Sequence, residues 1–211
     1  MTLSTFPDLI DHLAGIEPGD ALDGIRANRP QARLHAQQSY VALFDPAPPA
    51  GDASQFAGAE RFALAVFVAG LHGQADIAAF YAQGLSRLDA PGSLLEAVAA
   101  EAAEGAARGP YGRHPAGPLS VEDLPGPVHA VAQERRALLG ARLSAALVHA
   151  HLLVLHPRDA KAADLQALLD AGWSTADIVT LSQLVAFLSF QIRVVVSLRA
   201  LAGRSATITS A

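Results

Sequence analysis

The chain has 211 residues, a formal net charge of -5 and a composition that is 51% hydrophobic but only 17% charged, enough for one buried core or two closely joined helical halves. The acidic balance offers no basic surface for nucleic acid or an anionic membrane, and the absence of cysteine excludes disulfides, thiolate metal sites and a cysteine nucleophile. The first residues, MTLSTFPDLIDHLAGIEPGD, carry acids where a secretory signal would carry a basic region before an apolar run, so a mature, cytoplasmic chain is expected.

Strand-like alternation is almost absent while helix start and stop signals recur, so the expected fold class is all-α. In RPQARLHAQQSYVALF, Pro30 suits a first helical turn, and Leu34, Val41 and Phe44 fall near one face. The proline-rich DPAPPAGD, residues 45–52, ends that helix. A helix from about Phe56 to Leu71 is closed by Gly73, the residue type that tolerates the left-handed conformation after a helix. The next, over 74–88, starts at Gln74 or Ala75 and places Asp76 in its first turn, where unpaired amides favour a carboxylate. A further helix is expected over 91–107. Residues 108–129 contain five prolines and read as an ordered surface loop or short crossing segment.

A helix from about Val128 to Leu155 follows, broken at Pro157. Asp159 is placed to cap a helix over 160–171, which Gly172 closes. Ser174 then opens the last helix with Asp177 three positions on, in the manner of a capping box. Roughly eight helices with mostly short connections argue for an antiparallel bundle. The apolar run over 179–198 approaches the ~20 residues of a membrane span, but Gln183, Gln191 and Arg193 interrupt it, and a core helix, with no membrane partner, is the reading that the cost of a charge in lipid favours.

Chemistry-bearing groups are sparse. His149 and His151 lie two apart on one helix and His156 five further on, whereas helical metal pairs lie three or four apart, so packing or surface roles are expected and no metal. Arg193 and Gln191 sit in the most apolar helix and require polar partners if buried; Glu60 or Asp76 could pair with Arg193, or Arg193 could hold a ligand carboxylate. No phosphate-cradling glycine loop and no G-x-S-x-G elbow occurs, so no cofactor is expected.

Two stretches, ERFALAVFVAGLHGQADIAAFY and DLQALLDAGWSTADIVTLSQLVAFLSFQIRVVVSLRALAG, joined through ERRALLGARLSAALVHAHLLVLHP, resemble the core helix pair, closing helices and linking helix of the carboxymuconolactone decarboxylase and AhpD-like alkylhydroperoxidase family. The resemblance covers most of residues 56–203. It implies an AhpD-like helical domain over 56–203, an N-terminal helical extension over 1–55 and a tail over 204–211, assembled as a homo-oligomer (dimer, trimer or hexamer). The peroxidase branch of that family uses a glutamate, a Cys-x-x-Cys pair and a histidine. Aligned on LHG, those positions fall on Phe62, Gln74, Ile77 and Tyr81. None of the four matches, and Glu60 is rotated by about 200° from the glutamate's position. The expectation is therefore a degenerate member without dithiol peroxidase chemistry. Either it keeps a small-molecule pocket for acid-base chemistry, with His72, Gln74, Tyr81 and Arg193 as substrate-binding candidates and no assigned catalytic residue, or it is a non-catalytic assembly protein that forms a homo-oligomer or pairs with a cysteine-bearing relative.

Overall fold

The computed structural model describes residues 6–45, 56–89 and 92–209, with side chains to Gly203. Among the described residues the chain is all-α: nine α-helices, two short 3-10 turns and no strand. Most of the expected proline-rich stretch, from residue 46 on, lies outside them. The chain divides into two compact units, one holding residues 6–45 and 190–209, the other residues 56–189.

In the first unit, α1 (Leu9–Ala14), α2 (Ala21–Ala27) and α3 (Pro30–Phe44) are tied by charges. Asp8 caps α1 by accepting the Asp11 N–H, and Asp8 and Asp11 both pair with Arg26 and Arg33, whose guanidinium also reaches Asp23. Burial and the neighbouring Asp8 raise the Asp11 carboxyl above its ordinary pKa despite these cations, so the cluster fixes helix positions more than it adds stability. Tyr40 and Leu9 are almost fully buried in this unit, and the Arg199 guanidinium donates to the Leu13 carbonyl.

The second unit is built around α4 (Gly58–Leu71), which is buried along Arg61 to Ala69. It packs against α5 (Ala75–Ser86), α6 (Ser93–Gly105) and α7 (Gln133–Leu155). A helix apolar on every face belongs at the centre of its layer. Gly73 closes α4 with φ 67°, as its sequence position implies. The α4–α5 approach is tight: the Phe62 ring lies where a side chain on Gly84 would have to go.

Three boundaries differ from expectation. The helix expected from Val128 begins at Gln133, because the backbone before it is drawn out along α6 and its Ala132 N–H bonds to the Glu101 carboxylate. α7 is also interrupted at Gly140, whose φ of 70° and ψ of 168° are not helical. Asp159 does not cap α8 (Ala162–Asp170): its carboxylate accepts the Arg113 N–H, and the α8 cap is Lys161, whose N–H bonds to Asp164. Ser174 does cap the last helix, α9 (Thr175–Thr209), by accepting the Asp177 N–H. By length and composition, α7 and the Thr175–Gly203 part of α9 could each cross a bilayer; half of the most apolar stretch of α7 is buried against protein.

Arg142 joins the starts of α4 and α9 to α7. Its Nε donates to Glu60 at 2.8 Å, its Nη1 to the Gly172 carbonyl at 2.7 Å, and its Nη2 lies 3.6 Å from buried Asp177. The guanidinium stacks 3.9 Å above the Trp173 ring, whose N–H returns a bond to the Arg142 carbonyl. Glu60 holds the Ala57 N–H as well, so one residue both caps α4 and anchors the clamp. Replacing Arg142 with Ala removes three polar contacts and a cation–π stack, and should lower unfolding stability by about 2–3 kcal/mol. Lys at this position, which cannot fork, should recover less than half of the loss in urea denaturation.

Candidate functional site

The largest concentration of chemistry in the second unit surrounds a cavity of about 520 Å³, within the size range of small-molecule sites. One wall is the extended segment Val128 to Val131, another is the α7 face carrying Ser144, Val148, His149 and Leu152, and the remainder comes from His156, Asp159 and the first turns of α8. A second hollow, about 540 Å³, is lined from the 112–128 loop and shares Val128, His156 and Asp159 with the first.

The extended wall is held from inside. Glu101, on the buried face of α6, has no solvent exposure. Its Oε1 accepts the Ala132 N–H at 3.0 Å and Arg135 Nε at 2.6 Å, while its Oε2 lies 3.1 Å from Nε2 of His129. Arg135 also pairs with Glu104. A buried carboxylate is tolerable when charged and backbone donors surround it, and here His129 belongs to the wall itself while Ala132 and Arg135 follow it directly in sequence.

Four histidines follow from that wall inward. His129 stacks on His151 with ring centroids 5.2 Å apart, and His151 stacks loosely on His156 at 6.1 Å. His151 donates its Nε2–H to the Gly105 carbonyl at the end of α6, which fixes its tautomer. Nε2 of His156 lies 2.7 Å from the Pro127 carbonyl, and its Nδ1 lies 3.3 Å from Asp159. His149 is different: it is 4% exposed, it lines the cavity, and neither ring nitrogen has a hydrogen-bond partner. Ser144, five residues earlier on α7 and also lining the cavity, has an unpartnered buried hydroxyl oxygen.

Burial lowers the pKa of His149, with Asp164 opposing, and of His129, with Glu101 opposing. It pulls His151 down to about 4, helped by the neighbouring His129 and His156 and opposed by the Gly105 carbonyl. The inner imidazoles are therefore neutral at pH 7. Neutral imidazoles could ligate a metal, but among the described residues no three His, Asp or Glu side chains converge so as to hold one.

The sequence-selected residues lie elsewhere. His72 and Gln74 meet in the α4–α5 turn, where Gln74 Nε2 donates to the His72 carbonyl at 3.3 Å and His72 Nε2 lies 3.2 Å from the Ser189 hydroxyl. Tyr81 is fully buried further along α5, as are Ile77 and, nearly so, Phe62. Arg193 is exposed on α9 and belongs to the first unit, while its suggested partner Glu60 is engaged by Arg142. None of the four candidates lines either cavity. His149 and His151 both line the first cavity. Glu101 and His129 were not singled out; the available signal was an isolated acid at the buried spacing Ala97, Val98, Glu101, Ala102, Gly105.

A histidine held neutral by burial binds its proton more readily once the chain unfolds, so acid favours the unfolded state. The contribution of His151 is complete above its ordinary value of 6.5 and drains away as pH falls toward about 4, a change on the order of 3 kcal/mol. The urea midpoint should drop steadily from pH 7 to pH 4.5, and His151→Gln, which does not titrate, should flatten that slope. Compared with protein-family models, curated proteins and solved structures, the chain matches none.

Proposed function

We propose that this chain is a small-molecule-binding protein on an AhpD-like helical scaffold, and that its ligand occupies the histidine-lined cavity rather than the position of the family's reactive residues. One observation carries the reading: His149 is buried with both nitrogens unpartnered on the wall of a largely apolar cavity. Leaving such a group unsatisfied costs about 1–3 kcal/mol, a penalty that a bound polar group removes. The kinship rests on the order and spacing of the helices quoted above. Dithiol peroxidase chemistry has no place in it, because the chain contains no cysteine.

The experiment alters one side chain at each candidate location. Ala145 lines the cavity, so Ala145→Phe should fill it and weaken binding of a fluorescent apolar probe by at least about tenfold, whereas Tyr81→Phe should leave binding within about twofold. The reverse pattern would return the ligand to the α4–α5 position and overturn the assignment.

A second reading, self-assembly, draws on the part of α9 in the first unit, where Phe190 and Leu201 are 40% exposed or more and lie about three helical turns apart. Sedimentation equilibrium should give a multiple of 21.8 kDa, with Phe190→Glu shifting the distribution toward a single chain; a wild-type monomer at high concentration would remove this reading.

A further inference from the structure

The charges around the cavity offset one another. Asp159 and Asp164 contribute two acids, Arg136 and Lys161 two bases, all four lining it. The acids are already engaged in holding backbone N–H groups of Arg113 and Lys161, and Arg136 uses its Nε on the Val131 carbonyl. An anionic ligand would meet two carboxylates, and a cationic one two bases, so neither sign is selected.

The unpartnered groups on the α7 wall, the His149 ring and the Ser144 hydroxyl, have a common property. A neutral imidazole offers one donor and one acceptor, and a hydroxyl offers both. The group that satisfies such a wall must itself donate and accept without carrying charge, and a hydroxyl does so with one atom. A carboxylate only accepts and would have to give up its hydration in a mostly apolar space. A hydrocarbon would leave His149 as it is.

We infer that the cavity selects a neutral, hydroxyl-bearing apolar molecule, an alcohol or phenol, whose hydroxyl bonds to His149 while its apolar body lies against Val148 and Leu152. This rests on the cavity being the binding site. Burial keeps the His149 ring neutral, which leaves its unprotonated nitrogen to accept the hydrogen bond that the ligand O–H donates.

Three probes with one carbon skeleton test it in the full-length protein: a butylphenol, the matching butylbenzene and the matching butylbenzoate, titrated calorimetrically at pH 7. The phenol should bind about tenfold more tightly than either analogue, and the His149 ring nitrogens should shift in 15N spectra on its addition alone. In His149→Phe, which keeps an apolar ring of similar shape, the preference for the phenol should shrink to about threefold or less. Ser144→Ala, a change about 140° around α7 from His149, should leave it within about twofold of the wild-type value. Equal affinity for phenol and hydrocarbon, tighter binding of the benzoate, or a preference unaltered in His149→Phe would overturn the hydroxyl assignment while leaving the cavity as a site. Failure of all three probes to bind the wild-type protein would overturn the site and the assignment together.

Discussion

A carboxylate with no access to solvent must be answered by donors inside the protein, and Glu101 is that carboxylate in the second unit. Its position in the apolar stripe of α6 leaves it no route to water. The chain answers with the Ala132 N–H, the Arg135 guanidinium and the His129 ring. His129 and Ala132 lie on the stretch before Gln133, so satisfying one charge lays that stretch along α6 ahead of the helix, while Arg135 reaches the same carboxylate from the first turn of α7. The cavity exists because that stretch stands apart from α7 instead of coiling into it. An apolar residue at position 101 would leave the wall only the bonds of Arg136 to the Val131 carbonyl and of His156 to the Pro127 carbonyl, even where the burial it gained matched the cost of the ion pair.

The same economy of contacts runs through the rest of the site. His151 is turned by the last carbonyl of α6 and His156 by the carbonyl of Pro127, so two of the four imidazoles are oriented by backbone groups that would otherwise lack a partner. His129 takes its orientation from Glu101 and from stacking on His151. His149 alone is fixed by packing with no polar contact, the sign by which a group prepared for a guest differs from one that completes the fold. The Arg142 clamp lies two residues beyond the α7 break at Gly140 and ties the cavity-bearing part of α7 to Glu60 and the Gly172 carbonyl.

The helices were legible because their signals are local. Gly73 adopts the left-handed conformation its position implies, and Ser174 caps α9 through the Asp177 amide. Asp159 misled because a capping residue is recognised by its neighbours in sequence, while its carboxylate bonds to Arg113, far along the chain. The start of α7 was placed too early for a similar reason: Val128 to Ala132 carry no helix breaker after Pro127, and only the buried Glu101 draws them out. The cavity was illegible as a whole, since its walls come from an extended segment, a helix face, a 3-10 turn and a short helix, and no periodicity spans such an assembly. Reading His149 and His151 for a shared ion asked whether they point to one place, and left open the question of what each one touches.

The wall of residues 128–131 is neither helix nor strand, and side-chain bonds rather than a backbone ladder keep it in place. Its displacement would break no helical turn. The breadth of the cavity is therefore an adjustable quantity, set by the lifetime of Glu101's contacts, and a guest too large for the resting shape need only loosen those contacts without melting any part of the bundle. In evolutionary terms, substitutions along this segment could retune which guests fit while the helices that carry the fold stay unchanged.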